Sequence, residues 1–201
     1  MRFNLIIVLS LCGLLLSLSP TLSAACPTDQ AYPDVTYPEL TIETNLGQVV
    51  IELDRRRAPL TVNHFLHMVI NKTYDDNMVH RVVPDYVIQT GAFKTDLTSI
   101  KSCGKLSNES GNGLSNDRGT LAMARHDDPH SAETSFYINL NDNVNLDPNK
   151  KSWGYTVFGY VVSGMEVIEK MAQVKTEFNA QLDAKDVPVN LIQIITMRLN
   201  Q

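Results

Sequence analysis

Alternating apolar and polar positions predict several short strands along this chain. In residues 48–54 apolar side chains fall on every second position, which is the period of a strand with one buried face. Residues 40–44 have a similar composition and are separated from this stretch by a short turn at 45–47. Further strands are predicted at 79–83, 86–90, 119–125, 135–139, 155–162 and 189–199.

Two other stretches carry apolar residues at helical spacing. The first begins at Pro59, a residue that suits the first turn of a helix, and continues to about residue 70. The second begins at Gly164, with Ser163 expected as its N-cap. Many strands, two helices and no alternation of strands with helices argue against a parallel sheet. The pattern favours a mainly β fold, with a closed antiparallel barrel as the expected architecture.

The N-terminal residues are predicted to be a signal peptide rather than part of this fold. Arg2 supplies a positive start, and residues 5–18 form an apolar run that is short for a membrane span. The small residues 23–25 follow, so we assign 1–25 to the signal peptide, with an uncleaved anchor as the alternative. Residues 26–38 then form an extended leader, and 39–201 form one domain.

Because a signal peptide directs export, we expect the protein outside the cytoplasm. We expect the periplasm, with secretion and a lipid anchor on Cys26 as alternatives, because Cys26 directly follows the predicted cleavage site. Ser23 stands where lipoprotein signals usually carry an aliphatic residue. In an oxidising compartment Cys26 and Cys103 can form a disulfide, and two separate thiols remain the other interpretation.

Composition narrows the classes of partner. The 201 residues include 43% hydrophobic and 19% charged residues, which are ordinary values for one globular domain. The formal net charge is −5 and no basic run occurs, so nucleic acid is not an expected partner. We expect a monomer without a transmembrane segment in the mature chain.

The candidate chemistry is concentrated in residues 79–93. Arg81 lies on the first of two predicted strands, and Pro84 with Asp85 provides the turn between them. The second strand carries Gln89 beside the aromatic Tyr86. A cation, an amide and apolar surface that converge in this way suit a small polar transition state.

This run resembles the signature of the cyclophilins, and the exported bacterial cyclophilins most closely. The matching residues are His80, Arg81, Val82, Val83, Pro84, Tyr86, Gln89 and Gly91. The resemblance extends over about residues 40–199 and implies a barrel of about eight strands with a helix covering each open end. It also implies a peptidyl-prolyl cis-trans isomerase that acts on proline-containing peptides and on unfolded or folding proteins, with no metal and no cofactor.

The resemblance also implies roles for individual residues. Arg81 is the expected catalytic residue, because a fork of permanently charged donors can stabilise the proline nitrogen of a twisted amide. Gln89 is expected to contact the substrate backbone, Ala124 and Arg125 to lie along the peptide, and Tyr155 to border the pocket. The expected pocket residues are Tyr86, Val87, Met123, Phe136, Tyr137 and Leu146.

Departures from the family pattern leave an alternative open. Ser135 stands where a second Gln is usual, and Asn145 stands where an aromatic residue is common. The alternative is a binding module or chaperone of the same fold that holds proline segments without turnover. A metal hydrolase is a further alternative, built on the loop residues His126, Asp127, Asp128 and His130.

Overall fold

The computed structural model describes residue 32 and residues 34–200 of the chain. The predicted signal peptide, Cys26 and most of the predicted leader lie outside the described residues. Cys103 is disulfide-bonded, and Cys26, the partner that the sequence leaves open, is among the residues that are not described. None of the helices in the described part is both long and apolar enough to span a membrane.

In the described part of the chain, nine antiparallel strands form one curled sheet, and two more form a separate hairpin. The strands are β1 (Glu39–Thr44), β2 (Gly47–Leu53), β3 (Asn77–Met78), β4 (Arg81–Val83), β5 (Val87–Thr90), β6 (Thr120–Met123), β7 (Phe136–Asn139), β8 (Val157–Ser163), β9 (Thr176–Asn179), β10 (Ala184–Pro188) and β11 (Gln193–Leu199). The order in the sheet is β3-β11-β1-β2-β8-β6-β7-β5-β4, and the hairpin pairs β9 with β10. The prediction of a mainly β antiparallel fold is confirmed.

The two edges of the large sheet belong to one extended segment. Only Val79 and His80 lie between β3, which pairs with β11, and β4, which pairs with β5. Residues 77–83 therefore join the first strand of the sheet to the last, as a barrel requires. This also places the predicted chemistry at the seam, on the strand that leads directly into β5.

Four aromatic rings fill the centre of the core. Phe65 lies 5.0 Å from Tyr74, 5.2 Å from Phe136 and 5.1 Å from Phe158, measured between ring centroids. All four side chains are fully buried, and the hydroxyl of Tyr74 donates to the carbonyl oxygen of Thr134 at 2.9 Å. The core therefore includes a satisfied polar group, which avoids the cost of an unpaired buried hydroxyl.

The two helices pack onto this core as their spacing predicts. Helix α1 (Pro59–Ile70) begins and ends where the pattern indicated, and α2 (Met165–Ala172) contacts β2, β4 and β5. The predicted inward residues are all buried: Val62, Phe65, Leu66 and Val69 in α1, and Val167, Ile168 and Met171 in α2.

The predicted cap of α2 is wrong. Gly164, and not Ser163, is the N-cap, and no side chain caps the helix. Gly164 has a φ of 85°, and a Cβ built on it would lie 2.4 Å from the carbonyl oxygen of Gln48. Only glycine fits this combination of a left-handed backbone and close approach, so the chain turns into α2 through backbone geometry.

A side chain from the long loop 94–118 caps α1 instead of a residue next to the helix. The carboxylate of Glu109 accepts hydrogen bonds from the backbone N–H of Leu60 at 3.1 Å and of Thr61 at 2.9 Å. It also accepts from the hydroxyl of Thr61 at 2.7 Å. A carboxylate at a helix N-terminus satisfies free N–H groups and complements the helix dipole, so this contact ties the loop to the core.

Candidate active site

The strand register aligns one row of side chains on the outer face of the sheet. Arg81 on β4 is opposite Gln89 on β5, Gln89 is opposite Tyr137 on β7, and Tyr137 is opposite Ala122 on β6. Directly opposed residues point to the same face, so Arg81, Gln89 and Tyr137 lie side by side. The row brings together a cation, an amide and an aromatic ring from three strands.

This row forms part of a cleft with a cavity of about 160 Å³. Nine of the eleven residues predicted for the site line it. They are Arg81, Tyr86, Val87, Gln89, Ala124, Arg125, Tyr137, Leu146 and Tyr155. The folded chain therefore brings together residues that are up to 74 positions apart in sequence, from Arg81 to Tyr155.

The structure places the other two predicted pocket residues, Met123 and Phe136, in the main core instead. Phe136 is opposite both Met123 on β6 and Thr90 on β5, one residue away from the row that contains Tyr137. Because successive strand residues face opposite sides, this shift turns both side chains inward. Phe136 is 0% exposed and Met123 is 2% exposed.

The floor of the cleft is a small apolar cluster separate from the main core. Its buried members are Val87, Ala122, Tyr137, Leu146 and Val157. Tyr86 and Tyr155 pack against this cluster as partly buried residues, and the rings of Tyr137 and Tyr155 meet edge to face at 5.8 Å. The cleft therefore offers an apolar surface with aromatic edges beside the guanidinium of Arg81.

The hydroxyl of Tyr137 is buried together with a dedicated partner. It donates to Oδ1 of Asn116 at 2.8 Å, and Nδ2 of Asn116 donates to Asp147 at 2.8 Å. Burial raises the pKa of Tyr137, so the ring stays neutral. Asn116 comes from the long loop and is 1% exposed, which shows that this loop supports the pocket from behind.

Hydrogen bonds orient the polar side of the cleft. Nη1 of Arg81 donates to Oε1 of Gln89 at 3.3 Å, and Nε2 of Gln89 donates to Oγ of Ser135 at 3.1 Å. The hydroxyl of Ser135 donates onward to the carbonyl oxygen of Thr90 at 3.0 Å. In the sequence Ser135 is only a departure from the family pattern, but in the structure it supports the Gln89 amide that contacts Arg81.

Arg125 differs from Arg81 because other groups already engage its guanidinium. It donates to the carbonyl oxygens of Trp153 and His126 at 2.8 Å each, and it stacks over the ring of Tyr155 at 4.6 Å. These contacts hold Tyr155 and the loop around Trp153 at the side of the cleft. Within the described part of the chain, Arg81 donates one hydrogen bond, to Gln89, and Oδ2 of Asp186 lies 3.9 Å from its Nε; its side chain is 37% exposed.

His80 lies directly before Arg81 but is buried. Its ring packs edge to face on Phe93 at 5.4 Å, and its Nδ1 has no hydrogen-bond partner among the described residues. Burial, together with the nearby charge of Arg81, lowers the pKa of His80 to about 4. The ring is therefore neutral at pH 7 in the folded chain.

This histidine makes stability depend on pH. The unfolded chain binds a proton at His80 near its ordinary pKa, whereas the folded chain binds it only near pH 4. The contribution of His80 to the free energy of unfolding should be fully present above about pH 6.5. It should decrease by about 3 kcal/mol as the pH is lowered to about 4. Burial also lowers the pKa of His64, which acts in the same direction.

Urea unfolding at pH 7.5 and pH 4.5 measures this effect. In His80→Gln the loss of stability between the two pH values should be smaller than in the wild type. His126→Gln, which removes an exposed histidine, should keep the full loss. Equal pH dependence in wild type and His80→Gln would contradict the assignment.

A larger cavity of about 480 Å³ adjoins the cleft. It shares Gln89, Ala124 and Arg125 with the cleft, so the two spaces follow one groove along the end of β6. His80, Ser131 and Glu133 are among its other lining residues. The cleft and this cavity are therefore neighbouring spaces that meet at Gln89, Ala124 and Arg125.

Comparison with known proteins agrees with this geometry. The family described as "Cyclophilin type peptidyl-prolyl cis-trans isomerase/CLD" matches residues 39–199. The chain belongs to this family. A peptidyl-prolyl cis-trans isomerase of Acinetobacter baylyi is 39% identical over 160 residues, which cover 79% of this chain and 85% of that protein. Peptidyl-prolyl cis-trans isomerase B of Escherichia coli is 41% identical over 140 residues, covering 68% of this chain and 85% of that protein.

The cyclophilin fold is also evident from solved structures. A cyclophilin-type isomerase of Cryptosporidium parvum superposes with a TM-score of 0.68 at 20% identity, covering 82% of this chain and 98% of that one. The family match and the relatives at about 40% identity show that this cyclophilin is an enzyme, a peptidyl-prolyl cis-trans isomerase. No group of three or more His, Cys, Asp or Glu residues within the described residues is arranged to hold a metal ion.

Proposed function

We propose that this cyclophilin accelerates rotation about X–Pro bonds in exported proteins while they fold, with Arg81 stabilising the twisted amide. One observation supports this most directly. The guanidinium of Arg81 stands half-exposed beside an apolar cleft, held by Gln89, with donors left for a ligand.

The reaction needs no bond to be broken. Resonance holds a peptide bond planar, and rotation about it has a barrier of about 18–20 kcal/mol. In an X–Pro bond the two isomers have similar free energies, but they exchange only over tens to hundreds of seconds. At the midpoint of the rotation resonance is lost, and the proline nitrogen carries a lone pair that the planar amide lacks.

A donor aimed at that nitrogen binds the twisted state better than either planar state. Such preferential binding is the condition for acceleration. Arg81 suits this role because its guanidinium is always charged and presents several N–H groups in a fixed plane. This mechanism uses no nucleophile, metal or cofactor.

The apolar cluster of the cleft is the proposed site for the proline ring. Val87, Tyr137 and Leu146 would contact the ring, because they provide apolar surface next to Arg81. Tyr86 and Tyr155 would border it. We propose that the peptide runs along Ala124 and Arg125, where the groove continues towards the larger cavity, and that Gln89 contacts its backbone.

The N-terminal sequence supports export of the protein. A signal peptide at 1–25 would deliver a monomeric enzyme to the periplasm, with secretion or a lipid anchor on Cys26 as the alternatives. The disulfide at Cys103 is consistent with an oxidising compartment. Its substrates there would be proline-containing segments of unfolded or folding proteins. Mass spectrometry of the mature N-terminus would identify the cleavage site and any lipid.

Exchange spectroscopy on an Ala-Pro peptide tests the proposed activity. With the protein at about one hundredth of the peptide concentration, cis–trans exchange should become clearly faster than the uncatalysed exchange, which takes about tens to hundreds of seconds. A chelator should not change this rate. If the peptide binds without any acceleration, the chain is the proline-binding module that the departure at Ser135 left open.

A further inference from the structure

We propose that Asp186 is a positioning residue for Arg81, supplied by the separate hairpin formed by β9 and β10. This inference rests on the proposed role of Arg81 at the proline nitrogen. Asp186 does not line the cleft, so it would act through the guanidinium and not on the substrate.

Two acceptors contact different nitrogens of the same guanidinium. Oδ2 of Asp186 lies 3.9 Å from Nε of Arg81, and Oε1 of Gln89 accepts from Nη1 at 3.3 Å. The hydrogen bond at Nη1 and the charge attraction at Nε both favour one orientation of the guanidinium. In that orientation the third nitrogen, Nη2, is left for the ligand.

The backbone around Asp186 brings its carboxylate towards β4. The pairing of β9 with β10 shifts register between Ala184 and Val187, so β10 bulges there, and Asp186 has a φ of 62°. Strand β10 also packs against β4, the strand that carries Arg81. A bulge redirects side chains, and a left-handed residue other than glycine persists only where its surroundings hold it.

The same hairpin contains a matched control. Asp183 also has a left-handed backbone, with a φ of 47°, but it forms no ion pair in the described part of the chain. Asparagine tolerates a positive φ as aspartate does, so Asp186→Asn and Asp183→Asn remove a charge without forcing the backbone to change. The two variants therefore differ in whether the lost carboxylate faces Arg81.

The expected effect is on turnover and not on peptide binding. Because the proline nitrogen needs its donor only in the twisted state, misorienting Arg81 should lower kcat and leave KM nearly unchanged. The side chains are 37% and 46% exposed, so the pair is partly screened by water. We expect Asp186→Asn to lower kcat about two- to fivefold, the range for an exposed ion pair. Asp183→Asn should match the wild type.

Lineshape analysis of peptide exchange gives kcat and KM for wild type, Asp186→Asn, Asp183→Asn and Arg81→Ala. With ¹⁵N-labelled arginine, the Nε–H signal of Arg81 should shift in Asp186→Asn and not in Asp183→Asn. At about 1 M salt, where the screening length is near 3 Å, the difference in kcat between wild type and Asp186→Asn should become smaller. Thermal melts check that all four proteins are folded.

The outcomes separate this inference from the proposed function. If Arg81→Ala keeps its activity, the proposed role of Arg81 fails, and the inference about Asp186 fails with it. If Arg81→Ala loses activity but Asp186→Asn behaves like Asp183→Asn, only the inference about Asp186 is overturned. The inference about Asp186 would also be overturned if the difference in kcat stayed the same at high salt, or if the Nε–H signal of Arg81 did not shift in Asp186→Asn.

Discussion

Replacing Arg81 with alanine should lower kcat/KM for X–Pro isomerisation by about 100- to 1,000-fold, the loss typical of removing one preorganised transition-state donor. The fold should remain intact. The side chain is 37% exposed, its ion pair spans 3.9 Å, and exposed pairs contribute about 0–1 kcal/mol to stability. For a chain of this size such a change shifts the Tm by about 4 °C at most.

Two further variants make this experiment specific. Arg81→Lys should also lose most of the activity, because a point charge lacks the planar fork of donors. Arg118→Ala is the matched control, since Arg118 is another half-exposed arginine in an ion pair, with Glu169, and it does not line the cleft. Its activity should equal that of the wild type. Near-normal activity of Arg81→Ala at an unchanged Tm would exclude Arg81 as the catalytic donor.

The parts of the fold that could be predicted from the sequence are those with a strong local pattern. The alternation in residues 48–54 and the helical spacing after Pro59 lead directly to β2 and α1, because each buries one face against the core. Strand β3 has only two residues, and only two of the nine residues in β9 and β10 are buried, so neither carries a periodic apolar signal. Both were missed for that reason.

The same distinction applies to the candidate site: residues in a continuous motif could be predicted, and contacts that depend on distant parts of the chain could not. Arg81 and Gln89 lie in a continuous motif, and their opposition across β4 and β5 follows from a tight turn. Asp186 is more than a hundred residues away in sequence and reaches Arg81 only through a bulge, which no local pattern indicates. Ser135 appeared in the sequence as a loss of the usual Gln, and its contact with Gln89 depends on the pairing of β5 with β7.

The adjacent pair Phe136 and Tyr137 illustrates why strand parity matters. Both are aromatic, and from the sequence both were predicted to line the pocket. The register places Tyr137 beside Gln89 on the outer face, so Phe136 must point into the core. A tyrosine can occupy the cleft position because Asn116 accepts a hydrogen bond from its hydroxyl. No partner for a hydroxyl is needed at Phe136, which packs between Phe65 and Tyr74.

Phe136→Ala should therefore destabilise the protein severely and affect peptide binding little. Truncating a fully buried phenylalanine leaves a cavity, which costs about 3–5 kcal/mol. For a domain of this size that corresponds to a Tm lower by roughly 6–20 °C, which a thermal melt measures directly. Phe178→Ala is the matched control, because Phe178 is 56% exposed on the outer hairpin and its loss should leave the Tm nearly unchanged.

The KM of Phe136→Ala, measured well below its melting transition, distinguishes a core residue from a pocket residue. Its outer neighbour Tyr137 and the rest of the cleft floor remain in place, so the KM for an Ala-Pro peptide should stay within about threefold of the wild type, or less than 1 kcal/mol. A strongly raised KM at an unchanged Tm would contradict the register argument. That result would mean that the ring of Phe136 faces the substrate, as the family resemblance alone had implied.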